Sequence, residues 1–164
     1  MKKWSVNFLG LSLVAMSLSA NIVFGGQPEI QKTNYYSGAL KSETRMVEGV
    51  LEGEQTHYYE NGKKERVEFY KKGKKQGMFT WFDTDGSKTC EVNYIDDKAQ
   101  GVQKEWENGK LSRSIEFKDG LRHGKEVRYN AEGVTVLEAN WLLGDEDGVV
   151  KKFTYTGKLN QKSI

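Results

Sequence analysis

Few side chains in this sequence are suited to chemistry, and each can be weighed in turn. There are two histidines, His57 and His123, one cysteine, Cys90, and one tight acidic run, Asp145-Glu146-Asp147 within GDEDG. Imidazoles would serve as general bases or metal ligands, a thiolate as a nucleophile, and three loop carboxylates as a weak calcium site. Their settings argue against each role. A nucleophilic thiol needs a base partner, and nothing near Cys90 supplies one. His123 stands in a column shared with Glu52, Gln76, Gln100 and Asp147, which is simply polar, so it reads as a turn residue. His57 takes a position filled elsewhere by Trp81, Glu105, Arg128 and Lys152, and reads as a solvent-facing strand residue. Cys90 corresponds to Ser42, Arg66, Arg113 and Leu137, shares a face with Val92 and Tyr94, and reads as a buried structural thiol. The GDEDG run falls in register with loops KKQ and LRH, so it reads as a solvated acidic turn. The expectation is a chain without catalytic residues, metal or cofactor.

These correspondences rest on an internal repeat, which must position every one of the residues above. Gly38, Gly62, Gly86, Gly109, Gly133 and Gly157 follow one another in steps of 24, 24, 23, 24 and 24 residues. A second column, Gly49, Gly73, Asp97, Gly120 and Gly144, keeps the same steps. A third, Gly53, Gly77, Gly101, Gly124 and Gly148, lies four residues after the second. Together the columns hold 15 of the 18 glycines, and the other three, Gly10, Gly25 and Gly26, precede the repeats.

Glycine at fixed intervals marks turns. Asn61-Gly62, Asp85-Gly86 and Asn108-Gly109 predict type I′ hairpin turns, in which both central residues need positive φ. Asp97 substitutes for glycine in the second column because it tolerates the left-handed region. The third column predicts a bulge or a close backbone approach where the next strand begins. Two turns per unit give two strands per unit. The eighth position after the first glycine holds Met46, Tyr70, Tyr94, Phe117 and Trp141, and the sixth holds Thr44, Glu68, Val92, Ile115 and Ala139. The fifth after the third glycine holds Tyr58, Phe82, Trp106, Tyr129 and Phe153. These two columns of large side chains, one per strand, are the expected core of stacked hairpins. The fold class predicted is all-β: an elongated antiparallel meander of about eleven strands, in five units of 23–24 residues with a fragment at each end.

The first twenty residues, MKKWSVNFLGLSLVAMSLSA, have the plan of a secretory signal peptide: a basic start, an apolar stretch and small residues at the end. Cleavage is expected after residue 20, or as late as 25. Residues 21–33 are expected to form an extended linker, and 34–164 the repeat domain. The protein would then be exported, to the periplasm, the cell surface or the medium. The chain carries 25 basic and 23 acidic side chains, and losing Lys2 and Lys3 with the leader balances them. A neutral domain has no bulk attraction for nucleic acid, and none is expected as partner. One cysteine excludes an internal disulfide, so packing must stabilise the domain.

The units ENGKKERVEFYKKGKKQG and ENGKLSRSIEFKDGLRHG resemble the MORN repeat variant found in many bacterial proteins, and the resemblance covers about residues 34–158. It implies stacked β-hairpins and a scaffold that binds proteins or surfaces. Bacterial members of this type are often labelled YwqK-type antitoxins, which implies a toxin-neutralising or immunity-like role as an alternative. A third reading is a module that binds envelope glycan or a membrane surface. For a protein partner, the candidate contacts are the outward aromatics Tyr59, Phe69 and Trp81 with Lys71, Lys72 and Lys74. Charge is also uneven: residues 57–80 carry seven basic and three acidic side chains, residues 129–150 five acidic and no basic ones. That asymmetry suggests head-to-tail self-association.

Overall fold

The computed structural model describes residues 26–163; the expected signal peptide and its cleavage region lie outside the described residues. The chain forms β1 (Glu29–Asn34), β2 (Leu40–Val47), β3 (Val50–Tyr58), β4 (Lys64–Lys71), β5 (Lys74–Lys75), β6 (Gly77–Phe82) and β7 (Lys88–Ile95). It continues as β8 (Lys98–Glu107), β9 (Lys110–Lys118), β10 (Leu121–Tyr129), β11 (Thr135–Leu142), β12 (Asp145–Glu146), β13 (Val150–Phe153) and β14 (Leu159–Ser163). All belong to one antiparallel sheet in which neighbours in sequence are neighbours in space, an open meander. The two-residue pieces β5 and β12 sit beside β4 and β11. Twelve strands on the main path, at about 4.8 Å each, give a ribbon roughly 50 Å across. Strands touch their sheet neighbours, and no second layer covers either face among the described residues.

One strand more than expected arises because residues 29–33, read as linker, form an edge strand. β1 pairs with β2 from Glu29↔Met46 to Asn34↔Leu40. Lys32 reaches Glu43 at 2.6 Å and Thr33 meets Ser42 at 2.7 Å. The polar sequence hid the strand, because an edge strand on a single-layer sheet needs backbone partners more than apolar side chains.

The turns also differ from expectation. Type I′ geometry belongs to the second column: Glu48-Gly49, Lys72-Gly73, Asp96-Asp97, Asp119-Gly120 and Leu143-Gly144 all have positive φ at both residues. In the first column only Asn108-Gly109 does so. At Asn61-Gly62 only the glycine is left-handed, and the Gly62 N–H donates to Tyr59 O at 2.9 Å while Tyr59 N–H donates to Lys63 O at 2.8 Å. That is a three-residue loop, a type I turn closed by a left-handed residue. Asn61 is placed there by its side chain, whose Oδ1 accepts from Lys63 N–H at 3.0 Å. The single 23-residue step now has its cause. The Asn108-Gly109 hairpin pairs Glu107 with Lys110, so its loop has two residues instead of three. One deleted residue converts the turn type and leaves the strands in register.

Burial lies mid-strand, not on the expected columns. Phe79, Val92, Ile115 and Ala139 are 0–3% exposed, whereas all ten residues of the two expected columns are half-buried. The columns stand near strand ends, beside turns, with solvent above. The sixth position is flanked by strands on both sides and by long side chains from either end. The two columns also occupy opposite faces. Tyr70 and Tyr94 pack on Phe79, while the Tyr58 hydroxyl donates to Glu43 Oε2 on the other side at 3.0 Å.

Candidate interaction surfaces

The face that carries Phe79 holds two clusters. In the first, Phe79 is enclosed by Tyr70, Tyr94 and Trp81, with ring centroids at 5.6, 4.7 and 6.1 Å. The Lys75 ammonium lies 5.0 Å from the Tyr94 centroid and 5.5 Å from that of Phe79, within cation–π range. Cross-strand register produces this: Phe79 opposes Val92, and Gly77 opposes Tyr94. Burial pushes the Tyr70 hydroxyl up to about 12, with the Glu68 charge adding to it.

The second cluster centres on Glu126, 1% exposed. Its Oε1 accepts from Arg113 Nε at 2.9 Å and Arg128 Nε at 2.8 Å, and its Oε2 from Trp141 Nε1 at 2.8 Å. Arg122 stacks 4.6 Å above the Trp141 ring. Burial raises the Glu126 carboxyl, but the hydrogen bonds from Arg128 and Arg113 outweigh it and hold the group below its ordinary range. The carboxylate stays ionised and fully paired, as a buried charge must.

The residues read as candidates for chemistry settle among these clusters. His57 is not solvent-facing: it is half-buried on the same face, with Arg66 Nη2 donating to its Nε2 at 3.1 Å and Glu68 at 3.8 Å. Burial, then the Arg66 charge, lowers its pKa, so the ring is neutral near pH 7. Cys90 is half-buried opposite Trp81 and Glu105. Its thiol is pushed up to about 11, first by burial and then by Glu105 and Glu91, and stays protonated at neutral pH. Asp145 and Glu146 pair with Leu142 and Trp141 as β12, the counterpart of Lys74 and Lys75 in β5, so the acidic run takes the place of an ordinary turn.

The six candidate partner contacts do not form one patch. Trp81 lies on the aromatic face beside Phe79, and Phe69 lies on the opposite face, paired with Glu54. Tyr59 stands at the first-column turn, about 25 Å along the strand from Lys71, Lys72 and Lys74. It is not free, since its hydroxyl donates to Phe82 O at 2.8 Å. Tyr35 makes the same bond to Tyr58 O at 2.7 Å. The three lysines are exposed at the turn after β4.

A second set of connections was missed in the sequence although its column was visible there. In three units the polar residue before the third-column glycine reaches the next unit's second turn. Glu52 accepts from Lys72 N–H at 2.7 Å, Gln76 accepts from Asp96 N–H at 3.2 Å, and Gln100 donates to Asp119 at 2.8 Å. His123 holds the same place, and its buried Nδ1 finds no partner. The recurrence of polar side chains one residue before glycine was the available signal.

No curated protein matches this chain. Fifteen chains among solved structures do, including the crystal structure of TarM, with a TM-score of 0.39 and 12% identity. That match covers 60% of this chain and 19% of TarM, so this chain spans about a fifth of it, and at that score the likeness carries no argument. Residues 51–72, from β3 to the turn after β4, match the family model described as MORN repeat variant, so this stretch of the sheet is similar to a MORN repeat.

Proposed function

We propose that this protein is an exported, non-catalytic repeat scaffold that holds a protein partner on its aromatic face. The observation that carries the reading is an uncovered sheet face on which half-buried Trp81, Tyr94 and Trp141 stand together with Arg66, Arg122 and Arg128. Trp, Tyr and Arg are the residue types that dominate binding energy at protein interfaces. Both clusters hold these side chains in place, by ring packing around Phe79 and by hydrogen bonds around Glu126, so little ordering is left for binding to cost. A partner neutralised by capture, as a toxin would be, is one member of this class.

The test is capture from the host's envelope fraction with the protein as bait, followed by mass spectrometry. One protein enriched by the wild type and lost with Trp81→Ala and Trp141→Ala, both variants keeping their β-sheet circular dichroism, supports the reading. Retention on cell-wall material that those changes abolish and salt does not would replace it with glycan binding. Equal capture by wild type and variants would overturn the assignment to this face.

A further inference from the structure

The opposite face carries a feature that partner binding leaves unused. Strand alternation puts Val50, Phe69, Met78, Ile95, Leu121 and Leu142 there, each 36–49% exposed, in a stripe along the second-column turns from β3 to β11. No layer covers them among the described residues, and an apolar stripe of this extent on a soluble surface marks an interface. The tip of the last such turn adds an independent sign. Leu143 is 63% exposed at φ 54°, where the other turns hold Glu48, Lys72, Asp96 and Asp119. A branched apolar side chain held exposed in the left-handed region is costly without a role outside the hairpin.

Charge identifies what covers the stripe. At the turn after β4 stand Lys71, Lys72 and Lys74, while Lys75 lies over the aromatic face; at the equivalent turn after β11 stand Asp145, Glu146 and Asp147 with no base among them. The turns between them, at Asp96-Asp97-Lys98 and Lys118-Asp119, are mixed. The basic and acidic turns are equally far from the join of β8 and β9, which lies between Ile95 and Leu121. A half-turn about the join of β8 and β9 sets each basic turn against an acidic one and brings Ile95 against Leu121 and Met78 against Leu142, leaving Val50 and Phe69 opposite β14 and β13. We infer that the stripe is covered by a second copy of this chain, in an antiparallel, closed pair of the two-fold kind. The sheet edges offer a poorer join. Continuing the pairing Val67↔Thr80 from β14 into the β1 of another copy sets Lys162 opposite Lys32, like charge against like. A closed pair therefore takes the place of the head-to-tail association that charge alone suggested.

Sedimentation of the protein purified from its host, over a concentration series at low and high salt, tests this. The expected result is a species of twice the chain mass that weakens at high salt. Lys71→Glu/Lys72→Glu/Lys74→Glu and Asp145→Lys/Glu146→Lys/Asp147→Lys should each sediment as monomers, and an equimolar mixture should regain at least one complementary turn contact and pair again. Recovery on mixing cannot come from unfolded variants. A wild type that remains monomeric at about 100 μM, variants that pair as the wild type does, a mixture that does not recover, or growth into longer chains would each overturn the inference.

Discussion

Phe79 and Glu126 hold the same place in two copies of one hairpin, each two residues after a third-column glycine, and both are buried, at 0% and 1% exposure. Their neighbours correspond as well. Trp81 and Arg128 each follow by two residues, and Tyr94 and Trp141 each stand at the eighth position of their units. Around Phe79 the repeat supplies rings; around Glu126 it supplies two guanidiniums and an indole N–H. The place in the hairpin decides that a side chain is covered. Which chemistry fills it is decided by the neighbouring strands, which must either pack it or satisfy it.

The comparison can be broken most severely at the apolar centre. Phe79→Ala removes a ring that three others pack on and should cost about 3–5 kcal/mol, read from urea unfolding. Because each unit leans on the next, that loss should lower the stability of the whole sheet and not of one hairpin. Glu126→Ala should cost less, about 2–3 kcal/mol: the arginines lose a buried partner, but Arg128 is half-exposed and can turn to water.

The charged centre alone should respond to acid. The Glu126 pKa is depressed in the fold, so the stability this gives is present above the ordinary value of 4.5 and lost as pH falls through the folded value. Glu43, Glu91 and Glu138 shift in the same direction, each first through a lysine hydrogen bond, from Lys32, Lys88 and Lys125. Wild-type unfolding free energy should therefore drop between about pH 5 and pH 3, and drop less in Glu126→Gln. An equal drop in both would remove Glu126 from the account.

Smaller effects separate the joints between units from the units themselves. Tyr59→Phe deletes only the bond to Phe82 O and should cost about 1 kcal/mol, with the loss appearing in thermal unfolding. Leu143→Asn should raise the stability of the isolated chain by about 0.5–1 kcal/mol, since asparagine accepts the left-handed region more readily. A loss instead would mean that Leu143 packs against its own sheet.

Much of the fold could be read from particular residues. Gly62, Gly73 and Gly77 gave the hairpin, its two turns and its phase, because positive φ is a demand that few residues meet. The turn types came out reversed, since dipeptides such as Asn61-Gly62 suit both a two-residue and a three-residue loop; the paired strands on either side choose. β1 was missed because its stabilising partners are backbone groups of β2, which leave no mark on side-chain pattern. Of the candidate contacts, Trp81, Phe69 and Tyr59 were read as outward aromatics not needed for the core, yet Trp81 packs on the buried Phe79. Their assignment to one patch failed because alternation sends Trp81 and Phe69 to opposite faces and a hydroxyl bond ties Tyr59 into the next unit.

The sequence by itself determined the period, the placing of turns and the absence of an internal disulfide, because these depend on backbone torsion and residue type within one short stretch. Only the tertiary structure decided which residues are covered, which face each occupies, and that a glutamate could replace a phenylalanine at the centre. Those outcomes depend on partners some 13 to 25 residues away, brought alongside by strand pairing, and no local pattern records them.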